Sequence, residues 1–236
     1  MSIPIYGISD SEFRDSITFT TRAIVPIGSL EQHGEHLPIS TDSLIAESIA
    51  ESVAKKVGSF VLPTIYYGVS YEHRPMFNVS VNHSTLSNMV RDLCCSLGES
   101  GIKSILLLNG HHGNIGALQY IGQDIFGKIP EDIRVFSLNY WQMIKNEFDH
   151  AGEVETSLLL AISPSLVKLN RARPNSKQLT KSKAAYASIA NNPGTFPKIT
   201  GNGVWGDPSR ASVQKGRKLL DEIIENLTRI ILHELE

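Results

Sequence analysis

The stretch IKSILLLNG, residues 102–110, runs four branched aliphatic residues together and stops at Asn109-Gly110. A run with no polar face is the pattern of a parallel strand covered on both sides, and Asn-Gly is a turn signal. The next two residues are His111 and His112. In open α/β sheets, ligands sit outside the carboxyl ends of the strands. A buried strand that ends on paired histidines therefore predicts both the fold class and the edge of the sheet where chemistry is to be sought.

The rest of the chain alternates around this strand. RAIVPIGS (22–29) is a second strand without a polar face, and Ile45, Ile49, Val53 and Val57 then recur every fourth residue, predicting a helix over 43–57. SFVLPTIYYG (59–68) is a strand weakened in its middle by Pro63. Helices are predicted over 84–100, 114–126 and 155–162, and a strand over IRVFSLN (133–139). A last helix is predicted to start at Asp207-Pro208, cap and first turn, with a stripe of Leu220, Ile223, Ile224, Leu227, Ile230 and Ile231. Residues 191–206, rich in Gly, Pro and Asn, read as a long loop. Such alternation predicts an α/β domain, a mostly parallel sheet with helices on both faces, making three α/β/α layers. No repeat or linker divides 1–236, so a single domain is expected.

Composition narrows the function. Lys and Arg total 22 against 24 Asp and Glu, a formal net charge of −2, so no nucleic-acid partner is expected. No run reaches transmembrane length and the N-terminus lacks a signal-peptide pattern, so a cytoplasmic protein without membrane contact is expected. The two cysteines, Cys94 and Cys95, are adjacent, which suits buried thiols better than a disulfide or a metal site.

Three predicted strand ends bring imidazoles and carboxylates to one edge. The first leads into SLEQHGEHLPISTD (29–42), the central one into His111 and His112, and the next into DHAGEVETS (149–157). In an extended segment residues two apart point the same way, so Glu31 and His33 can face one ion or two adjacent ions. Oxygen and imidazole donors without thiolate suit Zn, Mn or Fe(II) alike. Each residue also has an ordinary explanation. Asp42 reads locally as an N-cap, Glu153 and Glu155 suit a helix start, and either turn histidine could be structural. A shared site explains all of them at once.

Taken in order, GSLEQHGEHLPISTD (28–42), GVSYEH (68–73), LNGHHGN (108–114), DHAGEVETS (149–157) and GVWGDPSRAS…G (203–216) resemble the motifs of the creatininase family of metal-dependent amidohydrolases. The resemblance implies two divalent metal ions per chain, with Glu31, His33, Asp42 and His111 as ligands and Asp42 bridging. It implies a catalytic role for His150 and matches Glu155 to a family glutamate in the same motif. It also implies a homo-oligomer, hexamers being known in the family. One departure stands out: creatinine-hydrolysing members carry a glutamate ligand where this chain has Gly113, and Glu153 is the candidate replacement. RPMFNVSVNHSTL (74–86) also fits poorly. These departures point away from creatinine, toward relatives that remove a formyl group from a formamidopyrimidine nucleotide. The expected activity is hydrolysis of a small, non-peptide or cyclic amide by hydroxide generated on metal. The alternatives are a peptidase trimming a cofactor-precursor peptide, or a non-catalytic metal-binding oligomer. Asn114 or Tyr71 could orient substrate, and Trp205 either covers the site or simply packs.

Overall fold

Along the central strand Ile105 and Leu107 join one apolar cluster while Leu106 and Leu108 join another. Successive side chains of a strand point to opposite faces, so a strand with a core on each side must be apolar throughout. The computed structural model describes residues 3–130, 132–146, 149–175, 177 and 192–233. Its five strands are β1 (Ile3–Pro4), β2 (Arg22–Ile27), β3 (Phe60–Val61), β4 (Ser104–Asn109) and β5 (Arg134–Asn139). They form one parallel sheet in the order β1-β3-β2-β4-β5. Ile27 pairs with Asn109 and Asn109 with Asn139, so the carboxyl ends of the three long strands lie level.

The helices are α1 (Asp10–Ser16), α2 (Thr41–Val57), α3 (His83–Glu99), α4 (Ile115–Leu118), α5 (Ile121–Asp124), α6 (Glu153–Ile162), α7 (Thr195–Thr200) and α8 (Val213–His233). Ile45, Ile49 and Val53 of α2 pack with Leu158 of α6 and Ile223 and Leu227 of α8 on the face of Ile24 and Leu106. On the other face, Leu86, Val90 and Cys94 of α3 pack with Leu118 and Ile121 against Val25 and Leu107. The three-layer α/β/α reading holds. Among the described residues no helix is long and apolar enough to cross a membrane.

Four boundaries differ from the sequence reading, each for a local reason. Residues 114–126 split into α4 and α5, with Gly116 and Gly122 lowering helix propensity. The strand at 59–68 shrinks to Phe60–Val61 ahead of Pro63, and its line is resumed by a single bridge between Ile27 and Ile65. Asp207 does cap, but only one 3-10 turn, Pro208–Arg210. The chain extends again at Ala211, and Ser212 Oγ accepts from Lys215 N, 3.2 Å, to open α8. The stretch read as a loop holds α7; residue 191 lies outside the described residues.

Gly216 brings α8 against α6, where an added Cβ would run into the Ser157 carbonyl oxygen. At an open helical position Gly→Ala stabilises by about 0.5–1 kcal/mol. Here Gly216→Ala is expected to cost about 1–3 kcal/mol through overpacking, seen as a lower urea midpoint at unchanged m-value.

Candidate metal centre

The loop after β2 stays extended because a neighbouring segment pairs with it. Gln32 N donates to Phe77 O, 2.8 Å, and Val79 N to Leu30 O, 2.8 Å, around a bridge between Glu31 and Asn78. The poorly fitting segment 74–86 thus splints the loop, and neither Asn78 nor Val79 lines the cavity described below. Held extended, the loop turns Glu31 and His33 to one side and Gln32 to the other.

Asp42 sits in the first turn of α2, whose N-cap position is Ser40. Its carboxylate is aimed inward between two imidazoles. Oδ1 lies 3.1 Å from His33 Nε2, and Oδ2 lies 3.0 Å from His111 Nδ1. The partners of the other ring nitrogens fix both tautomers. His33 Nδ1 is 3.1 Å from Glu31 O, and His111 Nε2 is 2.8 Å from Val69 O. A carbonyl only accepts, so those nitrogens carry a proton in either charge state of the ring, and the nitrogen that each ring turns toward Asp42 is the one left to take a second proton or a cation. Asp42 Oδ2 is buried without a hydrogen-bond partner. Lone pairs facing carboxylate oxygens at 3 Å call for positive charge between them.

Two sets of three donors surround that position. Glu31, Asp42 and His111 form one, and His33, Asp42 and Glu155 the other, with ligand atoms in each set within 4.8 Å of one another. Asp42 belongs to both. His33 Nε2 lies 3.5 Å from Glu155 Oε2, and His111 Nε2 3.3 Å from Glu31 Oε2. The donor set, all oxygen and imidazole, fits two hard or borderline divalent cations.

Glu153 does not join them. It turns outward to Lys215 and to Arg210, 3.4 Å. The two glutamates separate because α6 rotates residues two apart to different faces. The first-turn N–H groups are served by Asp149, which accepts from Val154 N at 2.9 Å and Glu155 N at 3.4 Å. Glu155 is free to point inward, taking Ala151 N at 2.5 Å. Gly113 leaves no room for a side chain: a Cβ there would run into Val69 O and come within 2.8 Å of Glu72 Oε1.

His150 lies beside these donors, its Nδ1 3.7 Å from Glu31 Oε1 and its ring 4.3 Å from that of His33. A further imidazole, His73, was missed in the sequence. It is buried, with Nε2 3.0 Å from Glu31 Oε1. The signal available was a second Glu-His pair, Glu72-His73, in GVSYEH. Asn114 is spent on structure, bonding Val69 N, Gly28 O and Asn109 Oδ1. Tyr71 packs among apolar residues below Arg74, away from the cavity. Trp205 is buried, stacked on Phe196 and paired through its backbone with His150, so of its two readings packing is the one seen. His36 bonds Thr156 Oγ1, 2.9 Å, and Glu35 is exposed.

Glu31, Asp42, His111 and Glu155 line a cavity of about 160 Å³, walled by Trp141, Ile144 and Phe196. Residues 8–231 match the family described as creatininase, creatinine amidohydrolase. The chain belongs to the creatininase family. Family members are hydrolases acting on amide C–N bonds. Creatinine amidohydrolase of Pseudomonas putida is 26% identical, over 89% of this chain and 88% of its own. A mycofactocin precursor peptide peptidase of Mycolicibacterium smegmatis is 30% identical, over 92% and 87%. A formylaminopyrimidine-nucleotide deformylase of Methanosphaera stadtmanae is 31% identical, over 59% of this chain and 60% of its own. A solved creatininase of the Zn–Zn type shares the fold with a TM-score of 0.82 at 24% identity, covering 100% of this chain and 99% of the other. These likenesses show the family without singling out the deformylase branch.

In this creatininase-family chain the metal-free centre holds protons where cations would sit. Burial works to lower His33, but Asp42 and Glu155 outweigh it and hold its pKa at about 10. His111 is likewise held up by Glu31 and Asp42 against burial. Burial pushes Glu155 up to about 8, with His33 opposing. Asp42 is held well below the usual carboxylate range, His33 and His111 overcoming burial. Burial, aided by the charge on His33, keeps His150 well below its ordinary value.

His33 and Glu155 both have folded pKa values above their unfolded ones. The folded chain therefore holds extra protons: the Glu155 contribution, full below 4.5, is lost as pH rises to about 8, and the His33 contribution, full below 6.5, is lost as pH rises to about 10. Chelated protein is expected to melt at a lower temperature at pH 9 than at pH 7. Loading with zinc should shrink that difference, because metal replaces the protons. A melting temperature that stays flat or rises from pH 7 to 9 in chelated protein contradicts this account.

Proposed function

We propose that the chain, 1–236, works as one metal-dependent amidohydrolase domain on a small amide. Glu31, Asp42 and His111 would hold one divalent cation, and His33, Asp42 and Glu155 a second. Asp42 would bridge the two, and Glu155 takes the place the sequence reading offered to Glu153. The observation behind this is Asp42 lying between two imidazole nitrogens, His33 Nε2 and His111 Nδ1, at 3.1 and 3.0 Å. Bound in this way, such ions lower the pKa of water toward about 7 and polarise a carbonyl.

The chain's own groups supply the remainder. His150 faces the cavity with a neutral ring, suited to accept a proton and pass it to the departing nitrogen. Trp141 and Phe196 give flat apolar walls that fit a compact planar head group and exclude water around the bond to be cut. A cavity of about 160 Å³ favours a small cyclic amide or formamide over an extended peptide backbone. The peptidase reading keeps support from the 30% identical relative, with the scissile bond alone entering the cavity.

The decisive measurement is metal content of protein purified without added metal, paired with formate release from a formamidopyrimidine nucleotide and ring opening of small lactams. Two metals per chain and turnover of one of these, both lost in Asp42→Ala, are expected. Cleavage of a peptide with no small amide turned over would move the assignment to the peptidase reading. No metal bound even after reconstitution would sink the proposal.

Glu155 and Glu153 separate by substitution. Glu155→Gln is expected to lose one metal and about 100-fold or more in activity, in line with removal of a ligand rather than of its outer support. Glu153→Ala should keep both metals and stay within about 3-fold of wild type, the scale of a surface ion pair. Equal metal loss in the two variants would contradict the ligand assignment.

A further inference from the structure

Gln32, between two proposed ligands, is buried against His73 and His150. Its amide orientation is fixed by two partners that leave no choice: Oε1 accepts from Gly34 N at 3.0 Å, and Nε2 donates to Gly203 O at 2.9 Å. That carbonyl comes so close because residue 203 is glycine, with φ +74; a Cβ would run into the Gln32 amide. One amide hydrogen is thereby spent.

Two imidazole nitrogens remain near the amide nitrogen, His73 Nδ1 at 3.0 Å and His150 Nε2 at 3.1 Å, and one hydrogen is left for them. His150 Nε2 has another partner, the Gln32 carbonyl oxygen at 3.0 Å, which can only accept. Satisfying every group gives a single arrangement. His150 Nε2–H donates to Gln32 O, and the second amide hydrogen goes to His73 Nδ1. The neutral His73 ring then carries its proton on Nε2, 3.0 Å from Glu31 Oε1.

We infer that Gln32 is a positioning residue that sets the tautomers of His73 and His150. His150 presents a bare Nδ1 to the cavity, ready to take a proton, while His73 presents an N–H to Glu31 and supports that carboxylate without binding metal itself. The importance for turnover rests on the reading of His150 given above; the tautomers do not. Through Gly203 the same amide ties both rings to the segment ending at Trp205, whose backbone exchanges hydrogen bonds with His150, 3.0 and 2.8 Å. Gln32 thus aligns two rings and the Gly203 carbonyl, from three separate loops, by hydrogen bonding alone.

The test is long-range ¹H–¹⁵N correlation on ¹⁵N-histidine-labelled, zinc-loaded full-length protein, wild type beside Gln32→Glu. In wild type both His73 and His150 are expected as the Nε2–H tautomer. In Gln32→Glu, position 32 offers only acceptors, so His73 is expected to move its proton to Nδ1 while His150 keeps Nε2–H. With zinc content unchanged, kcat should fall about 10- to 100-fold with little change in KM, and Gln32→Asn should not restore it, being too short to reach both rings. An Nδ1–H His150 in wild type, a zinc-bound nitrogen on His73, or a His73 tautomer indifferent to Gln32→Glu would each overturn the inference. Should Gln32→Glu not fold, the wild-type spectrum still decides the tautomers, and Gly203→Ala, which displaces the amide, replaces it. Correct tautomers with no amide hydrolysed would leave this inference standing and count against the proposed function.

Discussion

Asp42 is held between two imidazoles whose protons are committed to backbone carbonyls, and most of the architecture around it serves to keep it there. Burying a carboxylate costs several kcal/mol unless it is paired. Here one buried carboxylate oxygen, Asp42 Oδ2, lacks a hydrogen-bond partner. The chain tolerates this because imidazolium protons supply the missing positive charge in the metal-free protein, as the proposed cations would once bound. A strongly perturbed cluster in a cavity is the signature of a functional site, and this one combines it with a donor geometry that suits two ions.

That geometry depends on the parallel sheet. With Ile27, Asn109 and Asn139 level, the loops after β2, β4 and β5 leave the sheet at the same height and must converge. Convergence alone would leave flexible loops, so short backbone pairings fix them. Residues 77–79 splint 30–32, and His150 pairs with Trp205. Neither pairing belongs to the sheet, and both hold donor-bearing segments extended. The aromatic wall is similarly anchored, with Phe196 stacked on Trp205 and tilted against His73.

The departure at Gly113 is accommodated by packing. The space a side chain would need there is taken by the Val69 carbonyl and the Glu72 carboxylate, so under the proposed assignment the carboxylate for the second ion position would come from Glu155, on another element. On that proposal family membership would coexist with a redistributed donor set, and substrate preference would be sought in the cavity walls rather than in the donors.

Much was legible in the residues themselves. IKSILLLNG and RAIVPIGS could only be doubly covered strands, because an unbroken apolar run has no face to give to water. The three-layer order and the shared edge followed from them. Glu31 and His33 were readable as a pair because extended backbone repeats every two residues. Spacing could not tell Glu153 from Glu155: both suit a helix start, and which one turns inward depends on Asp149 having taken the first-turn N–H groups. Nor could it place His73, which approaches Glu31 across 42 positions of sequence. The chain determined by itself where apolar surface must be buried and which donors reach the strand ends, since those follow from local periodicity. Only the tertiary structure decided which donors share an ion, because that depends on distances of 3 to 4 Å between segments that local pattern does not relate.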